Sequence, residues 1–511
     1  MDIFLWGPLV RIIQALFAAA PTVVVGWLVA AIFERILGRS NTLKLFGGHT
    51  WKQIPYAWLL GMLLPVCSLG VIPIMHQMRK SGISGGTILA FGLTAPLFNP
   101  ISVLYGLTLS DPFTLFIFCL GSLSIVTVIG VAWDRLFPNS ISVPEELPPT
   151  PYGLQRIGAV ALSMCQQAVG PSTRYMIWAL VGVGILSLVL PAGVLQHSAG
   201  DKDLLAPLTM TAVASLAYIT PMTAIVQVAS MFQHGNSIGA SFTLLVMGTG
   251  VNLGLVLWSL REFGGRKTWA WVALLTLVVL CISYGINGPL HPKGVQAADH
   301  THAFDGYCNP FAWGLDNSFT AGIRLVREAL SVDVLFAGLC GGVMMLVGVG
   351  FAKFDSHGRT MRYLTTMKEA KETSKDIVLP NSVVASVSLI GLVILSIVGC
   401  YVYYPETKEV RRELAALQAD LNSAVAGKEW DNASFLIPQQ KDWAHKLVVG
   451  RYIRGEQWNR FQAMRKKVFL SKLEMLMHEC EEKEVEESLI WNNEARIAYR
   501  RFMDSLGSQT E

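Results

Sequence analysis

Apolar runs long enough for a bilayer alternate with short polar, helix-breaking clusters over most of the chain, and only residues 405–511 change to a soluble pattern. Uninterrupted apolar runs predict membrane-spanning helices at about residues 8–33, 113–133, 175–196, 269–288, 332–351 and 382–403. Each is near the roughly 20 residues that cross a hydrocarbon core about 30 Å thick, and Pro21 is expected to bend the first. The stretch 55–107 is equally apolar, with Arg79 and Lys80 as its formal charges, but two clusters interrupt it. One runs from Pro65 to Gly70 with Pro73 just beyond, and the other from Thr94 through Pro96 and Asn99 to Pro100. Proline removes a backbone donor and clashes with the preceding turn, and glycine loosens the backbone. Backbone freed at membrane depth is tolerated only where it is buried in protein or lines a cavity, the arrangement that transporters use for their binding sites.

Residues 216–258 repeat the pattern. Setting Gly86 on Gly239 brings Asn99 onto Asn252 and residues 94–96 onto 247–249 without a gap, while Pro65 pairs with Pro221 across three fewer residues. The shared order of proline break, polar turn, glycine-rich restart and deep asparagine predicts an internal duplication.

Basic residues bear on topology. If every apolar run crosses, Arg79-Lys80 and the linker with Arg135, Arg156 and Arg174 fall outside, against the positive-inside rule. If 55–80 and 204–233 are re-entrant, turning at Pro65–Gly70 and Thr220-Pro221, both basic segments return to the cytoplasm. Each repeat then has an odd number of crossings, so the halves are inverted. The expected fold is an all-α polytopic membrane protein of two duplicated, inverted repeats with broken or re-entrant helices, followed by a helical soluble domain. Its divisions are repeat 1 at 1–135, a linker at 136–172, repeat 2 at 173–290, a His-bearing loop with two further spans at 291–404, and the soluble domain at 405–511. The expected location is the inner cell membrane, multi-pass, with the N-terminus and 405–511 outside.

Composition agrees: 52% of the 511 residues are hydrophobic and 15% charged, with a mean hydropathy of +0.45, outside the range of ordinary soluble chains. The net charge of +4 is segregated into loops and tail, and nothing in it suggests a nucleic-acid partner. The eight cysteines are scattered without a CxxC pair and read as small buried hydrophobes. MDIFLWGPLVR lacks the basic region of a cleaved signal peptide. GGRKT at 264–268 lacks the glycine before lysine that a phosphate-binding loop requires, which argues against an ATPase, and no enzyme constellation is expected. In the soluble domain, Leu414, Leu417, Leu421 and Val425, then Phe461, Met464 and Val468 with Leu473 and Leu476, recur at helical spacing and predict its core.

The residues PVCSLGVIP…SGISGGTILAFGLTAPLFNP resemble the predicted-permease family that includes organoarsenical efflux permeases. Pro65, Cys67, Ser68, Gly70, Pro73, Gly82, Gly86, Pro96, Asn99 and Pro100 carry the likeness, and Pro221, Gly239, Gly248, Asn252 and Leu253 resemble its weaker second motif. The likeness spans about residues 8–290 and implies a permease. Leu69 stands where the family has a second cysteine, so capture of a soft ion by paired thiolates loses one ligand.

Candidate substrate-binding residues are Cys67, Ser68, Thr94, Asn99, Thr220, Thr249 and Asn252, all uncharged, with helix breaks at Pro65, Gly70, Pro73, Pro96, Pro100 and Pro221. They read either as a neutral hydrogen-bonding site for a small solute or ion, or as caps on broken helices. The absence of carboxylates in both stretches is informative, because proton-coupled carriers commonly relay through them. No cofactor is expected, apart from a divalent metal at 291–308, where Asp299, His300, His302 and Asp305 offer suitable ligand types, against the alternative of a solvated polar loop. Beyond lipid and solute, partners would act through 405–511, as a second copy or another protein. Two function classes stand: a permease, and a sensor or scaffold in which a degenerate permease core anchors the soluble domain.

Overall fold

The computed structural model describes residues 3–46, 51–109, 112–138, 155–200, 203–291, 304–311, 319–330, 332–355, 360 and 381–507. Every regular element among them is helical. The chain divides into two compact units: residues 1–106 with 110–396, and 397–511 with 107–109.

The first unit opens with α1 (Ile3–Ile32), helical straight through Pro21, then a π-helical turn (Phe33–Leu37) and α2 (Gly38–Phe46). The first interrupted stretch becomes α3 (Gln53–Met62), a non-helical tip, α4 (Val71–Lys80), α5 (Gly85–Thr94), a second break and α6 (Pro100–Leu109), before the long α7 (Pro112–Leu136). The second half holds α8 (Gln155–Ala168), α9 (Thr173–Val189), α10 (Ala206–Leu216) and α11 (Pro221–Gln233). It continues with α12 (Ile238–Thr243) and its π-helical extension (Leu244–Gly248), then α13 (Leu253–Phe263) and α14 (Gly265–Asn287).

The prolines explain where helices start. Pro100 and Pro221 occupy the first helical position, where the missing N–H costs nothing, and Pro73 lies in the first turn of α4. Pro65 and Pro96 lie in the breaks themselves.

One offset of 153 residues (Gly86 to Gly239, Asn99 to Asn252) relates the halves. It carries the first residue of α3 onto that of α10, α5 onto α12, α6 onto α13 and α7 onto α14. The same offset relates detailed contacts. Ser84 caps α5 and Ser237 caps α12. Asp134 accepts hydrogen bonds from the Ser84 hydroxyl (3.0 Å) and the Gly86 amide (2.9 Å), while Asn287 accepts from the Ser237 hydroxyl (2.9 Å) and the Gly239 amide (2.8 Å). Gly86 lies against the carbonyl of Gly130, and Gly239 against that of Ser283. Because an asparagine does the same work in the second half, Asp134→Asn should keep the fold. Asp134→Ala, which strands the Gly86 amide, should cost about 1–3 kcal/mol. Thermal unfolding of the detergent-solubilised protein compares the two.

The offset also corrects the linker reading of 136–172. Residues 155–168 form a helix, and α8 with α9, bent by 46° at residues 169–172, stands where α1 stands in the first half. Its polar positions hid it. Ser163 and Gln167 face inward, donating to the Glu34 carboxylate at 2.6 and 3.0 Å.

Matched helices run antiparallel. The N-terminal turns of α1 meet the C-terminal half of α9, with Ile12 against Gly184. At the C-terminal end of α7, Trp133 packs on Phe263 (4.9 Å between rings), and the Lys267 ammonium at the start of α14 lies over Phe137. That end also receives both ends of the α3–α4 stretch: Ile54 lies against Gly130, and Arg79 stacks on Phe263 at 4.8 Å. The α10–α11 stretch begins and returns at the opposite end, where Tyr284 donates to the Leu204 carbonyl (2.7 Å) and the Ser237 amide to the Ala199 carbonyl (2.9 Å). Both stretches are therefore re-entrant, with splayed arms: α3 and α4 each pack on α5, and α10 and α11 each pack on α12 and its extension. The α12–α13 stretch, bent by 54° at its break, crosses.

After α14 come a single 3₁₀ turn (Asp305–Tyr307), α15 (Phe319–Glu328), α16 (Val332–Phe354) and α17 (Asn381–Tyr403). The second unit is a helical bundle of α18 (Thr407–Ala426), α19 (Trp430–Ile453), α20 (Arg460–Glu482) and α21 (Val485–Gly507), with each helix packed on its chain neighbour and α18 on α21. Leu414, Leu417, Leu421, Val425, Leu473 and Leu476 lie in its core as expected. Phe461, Met464 and Val468 do not; they are 50, 53 and 42% exposed, and Phe469, Leu470 and Phe502 fill that space instead. Helix α20 carries two apolar stripes, and spacing alone does not say which is covered.

Inside this bundle the Lys466 ammonium donates to His445 Nδ1 at 3.2 Å. Burial lowers the Lys466 pKa to about 8 and holds the His445 imidazole well below its ordinary range. A lysine depressed in the folded state binds fewer protons than the unfolded chain between its two pKa values, so stability rises with pH there. Protection of the bundle's amides against hydrogen exchange, corrected for intrinsic rates, should therefore increase from about pH 8 to 10.5, and Lys466→Met should abolish that dependence.

Candidate functional site

The breaks come together. Gly70, at the end of the first re-entrant tip, is in direct backbone contact with α1 at Thr22 and Gly26. From the second tip (residues 217–220), the Tyr218 hydroxyl lies beside the Cys67 thiol and the Thr22 hydroxyl, although neither contact has good hydrogen-bond geometry. Ile219 of that tip packs on Gly248. At the other pair of breaks, Gly250 faces Leu97 and the carbonyl of Leu93, and a Cβ on Gly61 would come within 3.1 Å of the Ala95 amide nitrogen. All four interruptions thus meet in the interior of the first unit, where glycines let backbone approach backbone.

The sequence-derived candidates fall on these breaks. Cys67, Ser68, Thr94, Asn99, Thr249 and Asn252 are buried, and Thr220 is half-buried. Several act as caps. Asn99 Oδ1 accepts from the Ser102 amide (2.7 Å), Asn252 Oδ1 from the Leu255 amide (2.8 Å) and the Thr220 hydroxyl from the Thr223 amide (3.1 Å). The Thr94 and Thr249 hydroxyls bond back to the carbonyls of Ala90 and Leu245, both at 2.6 Å. Capping does not use every polar atom. Ser68 Oγ, the Tyr218 hydroxyl and Asn252 Nδ2 are buried and make no well-formed hydrogen bond among the described residues, whereas buried polar groups are ordinarily satisfied.

Sequence reasoning missed Tyr218, Thr22 and Gly26. Tyr218 sits two residues before Thr220 in the second tip, and Thr22 directly follows Pro21, but their meeting depends on how α1 crosses the first tip.

A second set of contacts seals the end opposite Arg79. Phe304, Tyr307, Cys308, Asn309 and Phe311 are buried there. Arg11 donates to the carbonyls of Cys308 (2.9 Å) and Asp305 (2.6 Å), and the Asn309 amide donates to the Leu190 carbonyl (2.8 Å). The Tyr307 hydroxyl donates to Gln227 of α11. Among the proposed metal ligands, Asp299, His300 and His302 lie outside the described residues, and the Asp305 carboxylate accepts from Gln196 at 3.2 Å. All eight cysteines are free thiols. Two histidines near the ends of the re-entrant arms have local partners: His76 of α4 lies 3.9 Å from Glu262, and Nδ1 of His234, just after α11, is 2.7 Å from the Ser230 carbonyl.

Comparison with known proteins gives this architecture its family. Residues 9–288 match the family described as "Predicted permease". The chain belongs to that family. The matched region covers both repeats and ends at the C-terminus of α14. Among relatives, UPF0718 protein YcgR of Bacillus subtilis (strain 168) is 23% identical over 286 residues, 54% of this chain and 95% of that protein. UPF0718 protein MJ0584 of Methanocaldococcus jannaschii is 25% identical over 115 residues, 22% of this chain and 32% of that protein. No solved structure matches. The predicted-permease family and the long apolar helices make this a multi-pass membrane permease.

Proposed function

We propose that a small solute passes through the point where the four breaks meet, handed between the two re-entrant tips as the inverted halves rock. The observation that carries this reading is the set of buried polar atoms there that make no well-formed hydrogen bond among the described residues: Ser68 Oγ, the Tyr218 hydroxyl and Asn252 Nδ2. All are neutral, so they suit an uncharged hydrogen-bonding solute, and Cys67 beside them adds one soft ligand. With a single thiol and Leu69 next to it, the site favours hydrogen bonding over capture between paired thiolates.

Sidedness follows from charge. Arg79, Lys80, Arg135, Arg174, Arg261, Arg266 and Lys267 collect at one end of the helices, so that end faces the cytoplasm of the inner membrane and the sealed end faces out. The N-terminus of α1 is then outside.

The test is flux into proteoliposomes, using a panel of small uncharged polar solutes together with trivalent methylarsenicals. Wild type should pass at least one of them, and Asn252→Ala and Tyr218→Phe should each lower that flux about tenfold, the loss expected for about 1.4 kcal/mol of site interaction. Equal flux in all three proteins would discard the site. A second reading, that the permease unit anchors the bundle at 407–507, draws on the bundle's separate core. Deleting the bundle would then abolish the cellular phenotype while both site variants stay silent.

A further inference from the structure

We infer that the groove between α9 and α13 binds an anionic phospholipid of the leaflet on the basic side. The groove is a cavity of about 450 Å³, lined by Arg174, Tyr175, Trp178, Leu253, Leu257 and Arg261. Its chemistry is split. Arg174, in the first turn of α9, and Arg261, in the last turn of α13, stand at its basic end. The remainder is apolar, and Trp178 is 48% exposed.

The arginine pair is prepared for an anion. Arg174 stacks over the Tyr175 ring at 4.7 Å and donates through Nη2 to the Tyr175 hydroxyl at 2.9 Å. That fixes the guanidinium plane while leaving its other N–H groups available. Arg261 makes no ion pair or hydrogen bond among the described residues. Its neighbour Glu262 is turned away, to Arg79 (3.9 Å) and His76 (3.9 Å). Two guanidinium groups in a groove whose described lining holds no carboxylate match a phosphodiester, which they can hold through charge-assisted hydrogen bonds.

The floor decides which phosphate. Ile177, Trp178, Ile185 and Leu188 form the exposed outer side of α9, the side that meets acyl chains in a membrane-spanning helix. An acyl chain can therefore run from the arginines down past Trp178 and Leu257, whereas a free phosphate gains nothing from these surfaces. Basic pockets between membrane helices on the cytoplasmic side hold anionic headgroups in this way. The floor begins at Leu253, directly after Asn252, and Gly254 packs on the Tyr175 carbonyl. A lipid seated here would brace α9 against the arm of the broken span that starts at Asn252.

The full-length protein, stripped in dodecyl maltoside and returned to mixed micelles, should retain dioleoyl phosphatidylglycerol but not dioleoyl phosphatidylcholine, read as bound lipid by native mass spectrometry. Each of Arg174→Gln and Arg261→Gln should weaken retention about fivefold, as expected for one basic residue near a membrane surface, and the double variant more than tenfold. Leu257→Glu, which places a carboxylate in the groove and leaves both arginines, should have the same effect. Inorganic phosphate at 20 mM, on the order of the buffer concentrations used in such work, should not displace the lipid, because the apolar contacts carry part of the binding. Equal retention of the two lipids, or wild-type retention by both the double variant and Leu257→Glu, would overturn the inference. Displacement by phosphate would assign the arginines to a soluble anion instead.

Discussion

Glu34→Ala should leave the permease unit unable to survive extraction into detergent. Glu34 sits in the π-helical turn after α1 and holds Arg35 through a 3.1 Å ion pair, while its other oxygen accepts from Ser163 and Gln167 of α8. Arg35 is 4% exposed, and its Nε and Nη1 have no hydrogen-bond partner among the described residues. Removing the carboxylate leaves a buried guanidinium with no compensating charge, which costs about 3–5 kcal/mol, a large part of a typical folding free energy. It also unhooks α8 from the end of α1. The expected result is aggregation on size-exclusion chromatography where wild type runs as a single peak. Glu34→Ala with Arg35→Met, which removes both charges, should recover much of the loss, since apolar replacement of a buried pair is often near neutral. If the single variant behaves as wild type, Arg35 has another anchor and this account of the turn is wrong.

Gly26→Ala should be as damaging, by a different route. A methyl group on Gly26 would fall on the Gly70 backbone, carbonyl oxygen included, closer than any real contact. Neither partner is a side-chain end that can swing aside, so α1 must move away from the first re-entrant tip. That movement would separate Thr22 from Tyr218 and open the meeting point of the breaks. We expect loss of solute flux with the protein still inserted in the membrane. Gly285→Ala is the matched control: nothing lies within 4 Å of a methyl group there, and flux should be unchanged. Flux retained in Gly26→Ala would show that the contact between α1 and the tip is not needed for passage.

Much of this was legible in the chain because the chemistry that breaks a helix is local. Pro65, Pro96, Pro100 and Pro221 report their effect on the backbone wherever they occur, and the matched Gly86/Gly239 and Asn99/Asn252 fixed the offset between the halves. Segments whose character is set by a distant partner were not legible. Ser163 and Gln167 make residues 155–168 look like polar linker, but those side chains are turned toward Glu34, far away in sequence. Tyr218 reads as an ordinary aromatic at the end of an apolar run until Cys67 is placed beside it. On α20, Phe461, Met464 and Val468 have the same spacing as a core stripe, and only the positions of α19 and α21 decide that Phe469 and Leu473 are covered instead.

Arg11 ties the first repeat to a segment outside the matched region. Its acceptors, the carbonyls of Asp305 and Cys308, lie beyond residue 288, where the likeness to the family ends. The partner of Gln227 on α11, Tyr307, lies there too. A version shortened to the shared region would leave Arg11 its bond to Gln14 but remove its two carbonyl acceptors, and would remove the Tyr307 donor to Gln227, at the end opposite Arg79. The additional segment thus satisfies polar groups of the matched region, and a chain cut to that region is expected to be less stable unless Arg11 is replaced as well.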